Sequence, residues 1–254
     1  MTVDVVVLAG GRNDAAMEAA TGVTNRALTP LGGRTMLDYV VSALCASASV
    51  GRVFVVGEVP PGDGYAVVAG GATMLDNLMA GLGAVGAQER VLVSTSDIPF
   101  LTADSVDDFV RRALDSGADL CCPFVPVALC RERFPEMKRT AIKLREGRFT
   151  LGNLVLVNPR FMTAHRDTIQ SAYAARKSPL KMAGLLGYGL LARLVLAQTV
   201  SPSLLTVRAL EEGVGRLLGG GCRAVGLESG FPEVGTDVDK PDDVVLARRI
   251  LGGG

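Results

Sequence analysis

Three short stretches of the chain bring together residue types that handle phosphate and a divalent cation. An apolar run, Val5–Leu8, ends in Ala9-Gly10-Gly11, with Arg12 and Asn13 next and Arg26 further along. Glycines at such a turn let backbone N–H groups approach an anion closely, and the two arginines add charge. A second glycine pair, Gly70-Gly71, precedes Ala72 and a helix-like pattern around Leu75. Asp97 follows a third apolar run, Val91–Ser94, within Ser96-Asp97-Ile98-Pro99. A carboxylate there suits Mg2+, which takes one or two carboxylates together with phosphate oxygens. Asp237 and Asp239, in "VGTDVDKPDD", offer the second carboxylate, while Asp242 and Asp243 are better placed to cap the helix that Pro241 opens. Two other phosphate motifs are missing: GxGxxG is not satisfied, and no Gly-Lys-Ser/Thr follows the first glycines.

Such loops need strands to hold them. Strands are expected at Val3–Ala9, Val53–Val56, Ala66–Val68, Val91–Ser94 and Asp119–Val125. Helices are expected at Thr35–Ala46, Leu75–Val85 and Thr102–Ser116, with a long polar loop between the first glycines and Thr35. The alternation predicts βαβ units and a parallel sheet, in which ligands bind beyond the carboxyl ends of the strands. After residue 125 the pattern changes. Thr140–Pro159 reads as two strands joined through Glu146-Gly147, helices dominate from Arg160 to about Leu218, and a strand follows at Cys222–Leu227. No Pro/Gly/Ser-rich linker interrupts the chain, so one domain is expected over 1–254: a nucleotide-binding half, 1–125, and an acceptor-binding half, 126–254, with a helical insertion at about 160–218.

Bulk composition narrows the function. The 254 residues carry 26 basic and 26 acidic side chains, a balance that argues against nucleic-acid binding through a general basic surface. Aromatics are 5% and Trp is absent, so the core must be built of Val, Leu and Ala. Cys45, Cys121, Cys122, Cys130 and Cys222 form no CxxC pair, as expected of thiols in a reducing cytoplasm. No signal peptide is expected, because Asp4 interrupts the start. Met182–Val200 is long and apolar, but Gly184, Gly187, Gly189 and Arg193 spoil it as a membrane span. A buried or oligomer-forming helix is expected there, which leaves a homodimer or peripheral membrane contact open.

The motifs taken in order resemble the MobA-like nucleotidyltransferases, a class that takes in molybdenum-cofactor nucleotidyltransferases, methylerythritol-phosphate cytidylyltransferases and sugar-phosphate nucleotidylyltransferases. The resemblance rests on "LAGG" (Leu8–Gly11), "NRALTPLGGRTML" (Asn25–Leu37), "GGATMLDNLMAGL" (Gly70–Leu82), "SDIPFL" (Ser96–Leu101) and "GTDVDKPDD" (Gly235–Asp243). It implies a three-layer α/β/α, Rossmann-like, GT-A-like fold with a mostly parallel sheet and a small antiparallel acceptor lobe. It implies that Leu8, Ala9, Gly10, Gly11, Arg12 and Asn13 wrap an NTP, CTP or GTP. Gly70, Gly71, Ala72, Asn77 and Ser96 would complete the nucleotide site. Arg26 stands where relatives carry a phosphate-contacting lysine, Asp97 would hold Mg2+, and Asp237 or Asp239 would join it. Two departures stand out: Asn13 and Ala15 replace the Gly and Arg of a GxGxR continuation, and Met74 replaces an arginine of the cytidylyltransferase base loop.

The reaction implied is attack of an acceptor phosphate oxygen on the α-phosphate of the NTP, with release of pyrophosphate. Alignment and charge neutralisation by Mg2+, Arg12, Arg26 and backbone N–H groups would then suffice without a general base. For the phosphorylated acceptor, the basic residues Lys143, Arg145 and Arg148 lie on the expected hairpin, with Arg176, Lys177 and Lys181 in "ARKSPLK". Gly152 and Asn153, in "FTLGNL", resemble the acceptor-contacting segment of relatives. The lone histidine, His165, reads as structural. Two alternatives remain from the residues: a nucleotide-binding module that has lost the chemistry, and a glycosyltransferase, which would want Asp-x-Asp where Asp97-Ile98-Pro99 stands.

Overall fold

A computed structural model describes residues 1–175 and 188–252. The strands in chain order are β1 (Val3–Leu8), β2 (Pro30–Leu31), β3 (Arg34–Thr35), β4 (Val50–Val56), β5 (Ala66–Val68) and β6 (Val91–Thr95). They continue with β7 (Leu120–Pro126), β8 (Ile142–Leu144), β9 (Gly147–Leu151), β10 (Leu154–Val157) and β11 (Ala224–Glu228). The described helices are α1 (Ala15–Thr21), α2 (Met36–Ala46), α3 (Met74–Val85), α4 (Ala103–Ser116) and α5 (Val127–Arg133). The remainder are α6 (Pro159–Ala164), α7 (Arg166–Ala175), α8 (Tyr188–Thr199), α9 (Val207–Leu217) and α10 (Pro241–Gly252).

The main sheet has nine strands in the order β5-β4-β1-β6-β10-β7-β9-β8, with β11 on the other edge of β7. β5, β4, β1 and β6 run parallel. Because side chains alternate along a strand, β1 feeds two layers at once. Val5 and Val7 pack with Leu37, Val40 and Leu44 of α2 and Val106 and Phe109 of α4. Val6 packs on the other face with Leu75, Leu78 and Leu82 of α3. Burial on both faces explains why the Val5–Leu8 part of β1 reads as an unbroken apolar run. Thr35, Thr73 and Thr102 cap α2, α3 and α4, each with a reciprocal side-chain bond from the third helical residue.

Three regions differ from the sequence expectation. The polar loop after β1 contains α1, started by Asp14, which accepts from the Met17 N–H at 2.9 Å, and ended by Gly22 at φ 75°. Only Met17 of this short helix is buried, so it offers no periodicity to read. The Thr140–Pro159 segment makes three strands rather than two, because the chain breaks at Gly152-Asn153. Before the break β9 pairs antiparallel with β7; after it β10 inserts antiparallel between β6 and β7. The late strand begins at Ala224 rather than Cys222.

In the second half, α8 buries Leu190 and Ala197 against Phe124, Leu144, Phe149 and Leu205, while Val195 and Leu196 remain exposed. The first part of the apolar Met182–Val200 segment lies outside the described residues, as do Arg176, Lys177 and Lys181. Among the described residues no helix is long and apolar enough to cross a membrane. His165 stacks on Phe161 with ring centroids 4.1 Å apart, and its Nδ1 lies 3.0 Å from the Phe161 carbonyl, as a structural histidine would. All five cysteines are free thiols.

Candidate active site

Three glycine turns converge at the carboxyl ends of β1, β4 and β5. The Ala9 N–H bonds the Val56 carbonyl at 2.9 Å, which draws the first turn against Gly57. A Cβ on Gly57 would lie 2.7 Å from the Ala9 carbonyl, and its φ of 146° suits only glycine. Asn77, buried on α3, ties the second glycine pair to the first. Its Oδ1 accepts from the Gly71 N–H at 2.6 Å, and a Cβ on Gly10 would lie 2.3 Å from its Nδ2. The result is a 290 Å³ cleft lined by Gly10, Gly11, Arg12, Gly70, Gly71 and Ala72, among others.

Not every predicted residue faces this cleft. Ala9 is fully buried under it. Asn13 is also buried, and its amide donates to the Val23 carbonyl at 2.9 Å, which closes the loop that returns to Arg26. Its place is therefore inside the loop rather than on the cleft wall. Ser96 is buried immediately before Asp97. Thr24, Asn25 and Glu58 line the cleft without having been singled out from sequence. Asn25 bonds the Glu58 carbonyl at 2.9 Å, a contact across 33 positions that local pattern does not signal.

Arg26 links the cleft to the carboxylates. Its backbone N–H bonds the Gly11 carbonyl at 2.9 Å, while Nη1 lies 3.4 Å from Asp97 Oδ2 and also pairs with Asp239 Oδ1. The Val238 N–H bonds the Asp97 carbonyl at 2.8 Å, so the two acidic segments are joined by backbone as well. Asp237 pairs instead with Arg139. Burial raises the Asp97 carboxyl above its usual range, opposed by the Thr95 hydroxyl and by Arg26, while the Asp239 charge adds to the rise. Burial, then the neighbouring Asp239, pushes Asp237 up to about 7.

These acids can be tested against a divalent cation. Among the described residues no group of three ligating side chains closes on one point, so the protein does not build a full cage. Magnesium needs only one or two carboxylates when phosphates complete its shell. Asp97 Oδ1 is enclosed and forms no hydrogen bond of good geometry among the described residues, though the Thr95 hydroxyl lies near enough to act on the carboxyl. Asp97 and Asp239 already converge on one cation, the Arg26 guanidinium. The residues fit the ion.

Beyond Asp239 opens a second cavity of 640 Å³, lined by Arg139, Thr140, Asn153, Asp237, Asp239 and Lys240, with an apolar wall that includes Phe149 and Leu194. Asn153 faces it, and its N–H bonds the Val234 carbonyl at 2.8 Å. Gly152 packs against Pro123, where a Cβ would approach to 2.4 Å, and so serves the strand break. Lys143 is not on the cavity wall: its Nζ donates to the Gln198 carbonyl at 2.8 Å and anchors α8. Arg145 and Arg148 are exposed. Arg139, Lys138 and Lys240 replace them as the cations of this cavity. Lys138 and Arg139 lie in "EMKRTAIK", which runs into the expected hairpin at Thr140, but nothing in that stretch separates them from the exposed cations Arg145 and Arg148.

A mixed, mostly parallel sheet between helical layers, with glycine turns and an acid at its carboxyl edge, is the arrangement of nucleotidyltransferase folds. The chain belongs to the MobA-like NTP transferase domain family, whose pattern matches residues 5–176. It is 37% identical to a hypothetical transferase from Thermus thermophilus, with a TM-score of 0.82, over 96% of this chain and 100% of that one. A 2-C-methyl-D-erythritol 4-phosphate cytidylyltransferase from Frankia casuarinae is 33% identical over 50% of this chain and 49% of its own length. The chain thus spans about half the length of the curated relatives it matches. The cytidylyltransferase of that name from Thermus thermophilus superposes with a TM-score of 0.54 over 98% of both chains, at 20% identity, a likeness of fold.

Proposed function

We propose that this chain is a Mg2+-dependent nucleotidyltransferase that moves CMP from CTP to a phosphorylated small molecule and releases pyrophosphate. One observation carries the reading: Arg26 is hydrogen-bonded to the glycine cleft through its backbone, and its side chain reaches Asp97 and, on the wall of the second cavity, Asp239. The choice of CTP over GTP rests on the curated relatives, which are named as cytidylyltransferases.

An acceptor phosphate oxygen bonds to the α-phosphorus as the bond to the bridging oxygen of the β-phosphate breaks, and pyrophosphate leaves. The acceptor oxygen is already anionic, so no proton has to move. The Gly10-Gly11 and Gly70-Gly71 backbones cradle the nucleotide, with Asn77 holding the two turns in register. Arg26 neutralises charge on the triphosphate from the seam between the cavities. Asp97 and Asp239 would hold Mg2+, which supplies further charge neutralisation to the phosphates when bound.

The test is pyrophosphate release from CTP with a panel of phosphorylated acceptors, on wild type, Arg26→Ala and Asp97→Asn. Removing one charged group that acts on the transition state lowers kcat by about 100-fold or more. Thermal shift with Mg2+ and CTP reports whether the cleft still binds. Unchanged turnover in both variants would refute the assignment of this seam.

A further inference from the structure

Arg139 lines the second cavity and keeps one donor edge unused. Arg139 has a side chain only 7% exposed, and Asp237 holds it through Nη1 alone. Its other edge, Nε and Nη2, is enclosed and has no hydrogen-bond partner among the described residues. Those two N–H groups are parallel and fixed by the guanidinium plane, which matches two oxygens of a phosphate or carboxylate. Leaving buried donors unpaired is costly, more so when they are charged. A ligand in the cavity recovers that cost when the side chain turns this edge toward it.

The cavity also holds acids, but most are engaged. Glu136 pairs with Arg249, Asp237 with Arg139, and Asp239 with Arg26. Asp243 accepts from the Lys240 N–H at 3.2 Å, at the start of α10. Lys138 and Lys240 line the same cavity and form none of the described ion pairs. The same cavity is also lined by Ile142, Phe149, Leu151, Leu194 and Leu246. A polar ring flanked by its own hydroxyls would leave that wall unsatisfied, whereas an alkyl or isoprenoid-like segment would cover it.

We propose that Arg139 is the socket for the acceptor's anionic group, and that the acceptor is amphiphilic, with an apolar segment next to a phosphate or carboxylate. The substrate role of this ligand rests on the nucleotidyltransferase reading; the socket itself does not. Asp237 holds the guanidinium through Nη1.

The experiment titrates hexyl phosphate, hexanoate and hexanol as separate probes into the intact protein saturated with Mg2+ and CTP, so that the nucleotide cleft is filled. Wild type, Arg139→Gln and Arg139→Lys are compared by calorimetry, and the CTP-induced thermal shift is recorded for each. One of the two anions is expected to bind and hexanol is not, which also says whether the site takes phosphate or carboxylate. Arg139→Gln should weaken that binding by about tenfold or more, and Arg139→Lys by less, since lysine keeps charge but not the fork. If Arg139→Gln fails to fold, Arg139→Lys and the probe selectivity of the wild type decide. Failure of both anions to bind, or equal binding to wild type and the folded Arg139 variants, overturns the socket and assigns the empty edge to water. In that event an intact CTP shift leaves the nucleotidyltransferase reading standing, whereas its loss in the wild type fails that reading instead.

Discussion

Gly10→Ala tests whether Asn77 is the joint of the nucleotide cleft. Gly10 is not among the positive-φ glycines, so alanine meets no backbone strain. Its Cβ, however, would lie 2.3 Å from Asn77 Nδ2 and 3.4 Å from Asn77 Cγ. Ordinary contact requires the amide to retreat by about 1 Å. That retreat is blocked on one side, because Oδ1 holds the Gly71 N–H at 2.6 Å. Either the bond to Gly71 breaks, at about 1 kcal/mol, or the site is overpacked, at about 1–3 kcal/mol. Asn77→Ala alone should cost about 1–2 kcal/mol, through the lost bond and the small void. In the double variant the new methyl group meets no amide, so its added cost should nearly vanish. The cycle therefore predicts a coupling of about 1–2 kcal/mol, read by urea unfolding of the four proteins. Costs that add to within about 0.5 kcal/mol would refute Asn77 as the joint.

Two further predictions concern the scaffold. Gly81→Ala on α3 should lower the urea midpoint although alanine favours helix by about 1 kcal/mol, because its Cβ would lie 2.3 Å from Val6 Cγ1 and 3.0 Å from Val56 Cγ2. A rise instead would mean that α3 moves off the sheet freely. Asp107 accepts from Ser47 Oγ at 2.6 Å and the Ser49 N–H at 2.8 Å, which secures the turn before β4. Burial works to raise its carboxyl, but these hydrogen bonds outweigh it and hold the group below the usual range. A depressed folded value stabilises the protein above the unfolded value, near pH 4, and that contribution is lost as pH falls through the folded value. Asp107→Ala should therefore destabilise by about 1–2 kcal/mol at pH 7, with the difference from wild type shrinking as the pH falls below about 4; a gap independent of pH would refute the sign.

Much of the first half was legible because it obeys local rules. β1 reads as a buried parallel strand since both its faces are covered, and Thr35, Thr73 and Thr102 mark helix starts through bonds three residues away. The second half was harder. Lys143 looks like an acceptor cation on an expected hairpin, but the return of α8 places the Gln198 carbonyl within 2.8 Å of its ammonium. Arg139 sits in the same basic stretch and was not singled out, because nothing in its neighbours shows that its side chain is enclosed.

By itself the sequence determined the alternating strands and helices, the glycine turns at the strand ends, and the acids in "SDIPFL" and "GTDVDKPDD". These follow from side-chain period, capping and turn chemistry, which act over a few residues. Only the tertiary structure decided which charges meet. Arg26 reaches Asp97 across 71 positions and Asp239 across 213, and Arg139 reaches Asp237 across 98. Those pairings depend on β10 inserting between β6 and β7 and on the last segment docking by the Val238–Asp97 backbone bond. Such contacts are set by how whole elements pack, and no local spacing carries that information.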